Sequence, residues 1–244
     1  MLEYYKSISS KAGLSLDCLD STSDKFGKTA VETTNLDNKS ARVRIYGPID
    51  SFWGFDVKGL FDYFDGLGDD LESIEVEITS PGGNVFDGMA VYSYLRKRAS
   101  EGVAVTTVAH GIAASIASVI FAAGDTRLMG DGSQLMVHNP HGLFLVHGDL
   151  ADITKKFGKL QNVLKSSQDN LVDVMASRSG NSKKDIAEMM DAETWFNVEE
   201  SVEKGFATGT VEADDKEDVI EDSVIETLKA SYMETILNSI KRGI

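Results

Sequence analysis

The sequence predicts an α/β domain whose sheet is substantially parallel and covered by helices. Three observations carry that prediction. Between residues 41 and 137, strand-like apolar runs alternate with segments whose apolar residues recur at three-four spacing. One run, residues 103–109, is β-branched and apolar almost throughout, as a strand buried on both faces is. Residues 149–175 then read as one long amphipathic helix.

The elements follow in order. Residues 1–40 are polar, and 19–40 are rich in the Ser, Thr, Asn and Asp that favour turns, so an N-terminal extension is expected there. From Ala41 apolar and polar residues alternate as in a strand, up to a turn at Gly47-Pro48. Phe52, Phe55, Leu60, Phe61 and Phe64 place a helix over 52–67. Ile74, Val76 and Ile78 share one face of a strand that stops at Ser80-Pro81-Gly82-Gly83. A helix is predicted over 87–99 and a buried strand over 103–109, punctuated by Gly111. A small-residue helix follows over 114–123, and short strands over 126–129 and 134–137. In the long helix, Leu150, Ile153, Phe157, Leu160, Leu164, Leu171 and Val174 form the apolar face, and Ser179-Gly180 ends it. Helices over 183–190 and 199–204 complete the domain. Residues 212–222 hold seven acidic side chains and one lysine, and 225–240 have the spacing of an amphipathic helix. The expected organisation is an extension over 1–40, an α/β domain over 41–211 and an acidic segment with a helix over 212–244.

Composition narrows the function. The chain has 244 residues, 39 acidic against 24 basic, for a net charge of −15. Such a surface repels phosphate backbones and anionic bilayers, so neither nucleic-acid nor membrane binding is expected. A single cysteine, Cys18, permits no intrachain disulfide and no multi-thiolate metal site. The N-terminus lacks a secretory signal pattern, and the longest apolar stretch, 112–124, is too short to span a bilayer. A soluble, cytoplasmic protein is expected.

Four motifs are able to carry chemistry. In Gly111-Ile112-Ala113-Ala114-Ser115-Ile116-Ala117-Ser118 a buried strand runs into a helix that opens at Ser115. A serine there sits near free backbone N–H groups, which suits a nucleophile attacking a carbonyl. It is equally the commonest helix cap. Ser80-Pro81-Gly82-Gly83 lets the backbone approach a substrate closely, or is a plain turn. His138, at the end of an apolar strand, is able to take a proton near neutral pH. Asp191 and Glu193 both offer a carboxylate to orient it. His138 and His141 are near enough in sequence to share a metal, but no further clustered ligand supports one, and no cofactor is expected.

Together, SPGG (80–83), GIAASIAS (111–118), MVHNP (136–140), SGNS (179–182) and EKGF (203–206) resemble ClpP, the proteolytic subunit of the Clp protease, over about residues 41–211. Glu193-Thr194-Trp195 is similar to the ClpP-like enzymes of phages and prophages that mature the capsid. The resemblance implies the ClpP/crotonase fold, a spiral of β-β-α units with 149–175 as a projecting handle helix. It implies Ser115 as nucleophile, His138 as general base, and the backbone N–H groups of Gly83 and Ile116 as oxyanion hole. With the family aligned without gaps from Ser179-Gly180 to Gly205, its third triad residue, an aspartate, falls on Glu193, with Asp191 the alternative. It implies a heptameric ring or double ring acting on protein or peptide substrates, in the phage case capsid and scaffold proteins of the prohead. The first forty residues do not resemble the axial-loop segment that meets the AAA+ ATPase, so that partner does not carry over. Two other readings use the same fold: a crotonase-type acyl-CoA enzyme, and a non-catalytic assembly protein.

Overall fold

A computed structural model describes residues 30–37, 39–51, 54–68, 70–142 and 146–211. The acidic segment and the helix expected over 225–240 lie outside the described residues, as does most of the expected extension. The described chain runs β1 (Ala30–Asp37), β2 (Ser40–Tyr46), α1 (Val57–Gly66), β3 (Ser73–Ser80), α2 (Val85–Ser100), β4 (Ala104–Ala114) and α3 (Ile116–Phe121). It continues through β5 (Thr126–Met129), β6 (Gln134–Val137), α4 (Leu150–Ser179), α5 (Lys183–Asp191), β7 (Thr194–Phe196), α6 (Val198–Glu203) and β8 (Gly209–Thr210).

One sheet holds all eight strands, in the order β1-β2-β3-β4-β5-β8, with β6 pairing β4 and β7 pairing β6. The pairs β2–β3, β3–β4, β4–β5, β4–β6 and β5–β8 are parallel. Alternation along β2 and β3 sends Val43, Ile45, Ile74 and Val76 inward. There they meet Leu60 and Phe64 of α1, Val91 and Leu95 of α2, and Ile120 and Phe121 of α3 in one buried cluster. The opposite face carries a charged ladder, with Arg42 Nε 2.6 Å from Glu75 Oε1 and Arg44 Nε 2.7 Å from Glu77 Oε2.

Several elements depart from the sequence-based expectation. Strand β1 lies within the expected N-terminal extension and pairs antiparallel with β2 at the sheet's edge. Its polar composition suits an edge, and Thr33 and Thr34 are exposed. Helix α1 starts at Val57 because the Asp56 side chain caps it, accepting from the Gly59 N–H at 2.8 Å. Strand β4 runs through Gly111 to Ala114 instead of ending at 109. It does so by changing neighbours, pairing β5 over residues 106–109 and β6 over 112–114. This exchange brings the ends of β4 and β6 side by side.

Helix α4 is capped by Asp149, whose side chain accepts from the Asp152 N–H at 2.9 Å. It ends on Gly180 at φ 79°, a left-handed position that glycine adopts without strain. Its last third is anchored by buried Leu171, Val172, Met175 and Ala176, while Leu150, Phe157 and Val163 nearer its start are exposed. Buried Arg127 of β5 ties the end of α4 and the segment after α6 to the sheet. Arg127 Nε donates to the Phe206 carbonyl at 2.7 Å, and its two terminal nitrogens donate to the carbonyls of Gly124, Arg178 and Gly205 at 3.1, 3.2 and 3.2 Å. Among the described residues no helix is long and apolar enough to cross a membrane.

Candidate active site

Ser115 is the single residue between β4 and α3. Its backbone takes φ 57° and ψ −129°, a region costing a non-glycine residue on the order of 1–3 kcal/mol. Neighbouring bonds hold it there: its N–H donates to the Met136 carbonyl at 3.0 Å, and its carbonyl accepts from Ser118 Oγ at 2.6 Å. Its side chain makes no capping bond. Instead Ser115 Oγ lies 2.7 Å from Nε2 of His138. His138 follows directly on β6, whose Met136 is in register with Ala114 of β4. The sheet therefore sets serine and histidine at adjacent strand ends. For Nε2 to accept the hydroxyl proton, the ring proton must sit on Nδ1.

Opposite Ser115 the chain turns through Gly82 at φ 93° and Gly83 at φ 154°. A Cβ on Gly82 would lie 2.5 Å from Ser115 Cβ and 3.0 Å from its Oγ, so only glycine fits. A Cβ on Gly83 would lie 2.3 Å from the Ile49 carbonyl oxygen. Ile49 fixes this turn by donating to the Gly82 carbonyl at 2.9 Å and accepting from the Asn84 N–H at 2.6 Å. That pairing leaves the Gly83 N–H out. Among the described residues neither the Gly83 nor the Ile116 N–H is committed to an acceptor. A narrow cleft beside Ser115 and His138 is lined by apolar side chains, among them Val85, Ile116, Pro140, Leu171, Met175 and Met190.

The acidic residues are placed differently. Asp191, the last residue of α5, accepts a hydrogen bond from Asn139 Nδ2 at 2.6 Å. Asn139 in turn accepts from Gln168 Nε2 of α4 at 2.9 Å. Glu193 is exposed, with φ 49°. Its charge acts on His138, favouring the protonated ring, without a hydrogen bond to it. Among the described residues no carboxylate hydrogen-bonds His138. Burial is the main influence on the imidazole and pushes its pKa below the ordinary histidine value of 6.5. His141, with ring centroid 5.0 Å away, pushes in the same direction, and Glu193 partly opposes both.

The structure thus brings together Ser115, His138, Gly83 and Ile116, and leaves Asp191 on Asn139 and Glu193 at the rim. The sequence singles out Gly82 as one of the two glycines that allow close backbone approach, and the structure adds its contact with Ser115. It gives no role to Asn139 or Gln168, because the two amides carry no spacing signal. Among the described residues there is no cluster of three or more metal-ligating side chains.

Fold and pair together define a class: an α/β protein whose geometry suits acyl transfer through a serine. The sequence profile of the Clp protease family matches residues 38–214. The chain is 30% identical over 145 residues to the ATP-dependent Clp protease proteolytic subunit 3 of Rhodococcus jostii, covering 59% of this chain and 67% of that one. It is 30% identical over 159 residues to the ATP-dependent Clp protease proteolytic subunit of Bacteroides fragilis, covering 64% and 72%. A ClpP1 mutant from Listeria monocytogenes has the same fold, with TM-score 0.59 and 21% identity over 71% of this chain and 92% of that one. The chain belongs to the Clp protease family, and its relatives are proteolytic subunits.

Proposed function

We propose that the chain is a serine endopeptidase that cleaves proteins of an assembling phage head. One observation carries the catalytic part: an uncapped, strained Ser115 with its hydroxyl 2.7 Å from His138 Nε2. Ser115 Oγ attacks the scissile carbonyl carbon while His138 Nε2 takes its proton. The N–H groups of Gly83 and Ile116 receive the developing oxyanion. The C–N bond breaks as His138 returns the proton to the leaving amine. Water then attacks the acyl-enzyme, with His138 again as base, freeing the new carboxylate and Ser115. Glu193 supplies negative charge to the imidazolium from the rim. The apolar cleft suits an apolar side chain beside the cut bond.

The phage-head role rests on the likeness of Glu193-Thr194-Trp195 to the ClpP-like enzymes of phages and prophages, while the first forty residues, unlike the axial-loop segment, speak against an AAA+ partner. By resemblance to ClpP the working form is a ring. The exposed Leu150 and Phe157 of α4 are the apolar surface for contact between subunits.

Fluorophosphonate labelling of the purified protein, located by mass spectrometry, tests the catalytic reading. The expected adduct is on Ser115 and is lost in His138→Ala; folded, oligomeric protein that stays unlabelled overturns it. Co-expression with shell and scaffold proteins tests the role. Ser115→Ala should leave them uncut, and cleavage equal to that of the unaltered protein overturns it.

A further inference from the structure

The residue after the histidine is tied on two sides. Asn139 donates through Nδ2 to Asp191 Oδ1 at 2.6 Å and accepts through Oδ1 from Gln168 Nε2 at 2.9 Å. Its carboxamide thus spans the end of α5 and the middle of α4, across 52 and 29 residues of chain. The backbone it belongs to has already left β6, which ends at Val137. His138 therefore has sheet pairing only on its N-terminal side. Beyond it, Asn139-Pro140 is coil. Something else must fix the direction in which the chain leaves, because that direction sets the ring.

We infer that Asn139, clamped between Asp191 and Gln168, is a positioning residue that holds the His138 loop so that the imidazole stays on the Ser115 hydroxyl. Asp191 and Gln168 are its two anchors. None of the three touches Ser115 or the ring through the hydrogen bonds described. This deepens the proposed function and rests on that reading: the clamp acts on catalysis only if His138 is the base. A displacement of about 1 Å in a proton-transfer pair costs on the order of 10²-fold in rate, so even a modest loosening has a measurable effect.

The donor–acceptor order of the clamp makes it testable by reversal. Asn139→Ala and Asp191→Ala each remove the bond between the loop and α5. Asn139→Asp sets two carboxylates against each other. The double variant Asn139→Asp with Asp191→Asn restores the bond with donor and acceptor exchanged, and leaves Gln168 a carboxylate oxygen to donate to. In the full-length oligomeric protein, the single variants should lose about tenfold or more in kcat with KM within about twofold. The double variant should recover to within about threefold of the unaltered protein.

Amide hydrogen exchange at residues 138, 139 and 141 should quicken about tenfold in the single variants and return in the double. Exchange does not depend on turnover. Unaltered protein that neither hydrolyses peptides nor takes a fluorophosphonate overturns the peptidase reading, and the exchange rates then still decide for or against the clamp. Single variants with unaltered exchange overturn the clamp. So does a double variant no better than Asn139→Asp alone.

Discussion

The two ends of the candidate site are built in opposite ways. The serine end is part of the core: Ser115 closes the central strand, Gly82 presses against it, and Ile116 and Ala117 behind it are buried. The acid end is surface: Asp191 ends α5 and Glu193 follows two residues later, both are exposed, and they reach the histidine only through Asn139 or through space. The difference teaches where the tolerance lies. Geometry at the serine end is fixed by sheet register and close contact, so small changes there have no route of relaxation. Charge at the acid end acts through solvent-screened distance, so changes there should be graded.

The sharpest break comes from the serine end itself. Ser115→Ala should lower kcat for a peptide substrate by about 10⁴-fold or more with the fold unchanged by circular dichroism. Activity within tenfold of the unaltered protein would overthrow the comparison at its root. Next is Gly82→Ala. The added methyl meets Ser115 Cβ at 2.5 Å from a backbone at φ 93°, and the forced shift should cost about 10²-fold in kcat. Gly132→Ala, also at positive φ but with no atom within 4 Å of its added Cβ, should keep its activity and separates contact from backbone strain.

At the acid end, Glu193→Gln should cost less than about tenfold at neutral pH, since an exposed charge contributes little. It should also move a limb of the pH profile. In the proposed mechanism His138 acts as a neutral base, so activity should fall as pH drops through its pKa, which lies below 6.5. Glu193 raises that pKa, so removing its charge should carry the acid limb of kcat/KM to lower pH. The smallest effect is expected from His141→Ala. His141 lowers the same pKa, and its loss should carry the limb to higher pH, a shift opposite in sign. Equal displacement in one direction by both variants would break the electrostatic account.

How far this was legible in the sequence follows the same division. The β–α alternation, the serine at a strand–helix junction and the histidine at a strand end were readable, because each is written in neighbouring residues. The strand through Gly111 was not, since β4 persists there by exchanging partners, a fact of tertiary pairing. Nor were β7 and β8, at three and two residues too short for any periodicity. The bond between Asn139 and Asp191 was hidden for a related reason. A side-chain contact across 52 residues depends on where two elements finish, and no local pattern encodes it. The two candidate acids are legible as residues, but that Asp191 meets Asn139 while Glu193 acts on His138 through space is a matter of exposure and distance that no local pattern carries.

Arg127 and β8 carry a consequence for how the chain comes into being. Two of the four carbonyls around the guanidinium belong to Gly205 and Phe206, and β8 pairs Leu128 with Gly209. During synthesis β5 and Arg127 leave the ribosome some eighty residues before these partners, which are 78 and 79 residues away in sequence. Until then a cation meant for the interior lacks at least two of its four carbonyls, three of them before Arg178 is made, and β5 has an unpaired edge open to a neighbouring nascent chain. Among the described strands β8 is the last to be made, so a ribosome stalled before residue 205 would hold a chain with most of the sheet's strands but without the pairing that covers β5 or the carbonyls of Gly205 and Phe206.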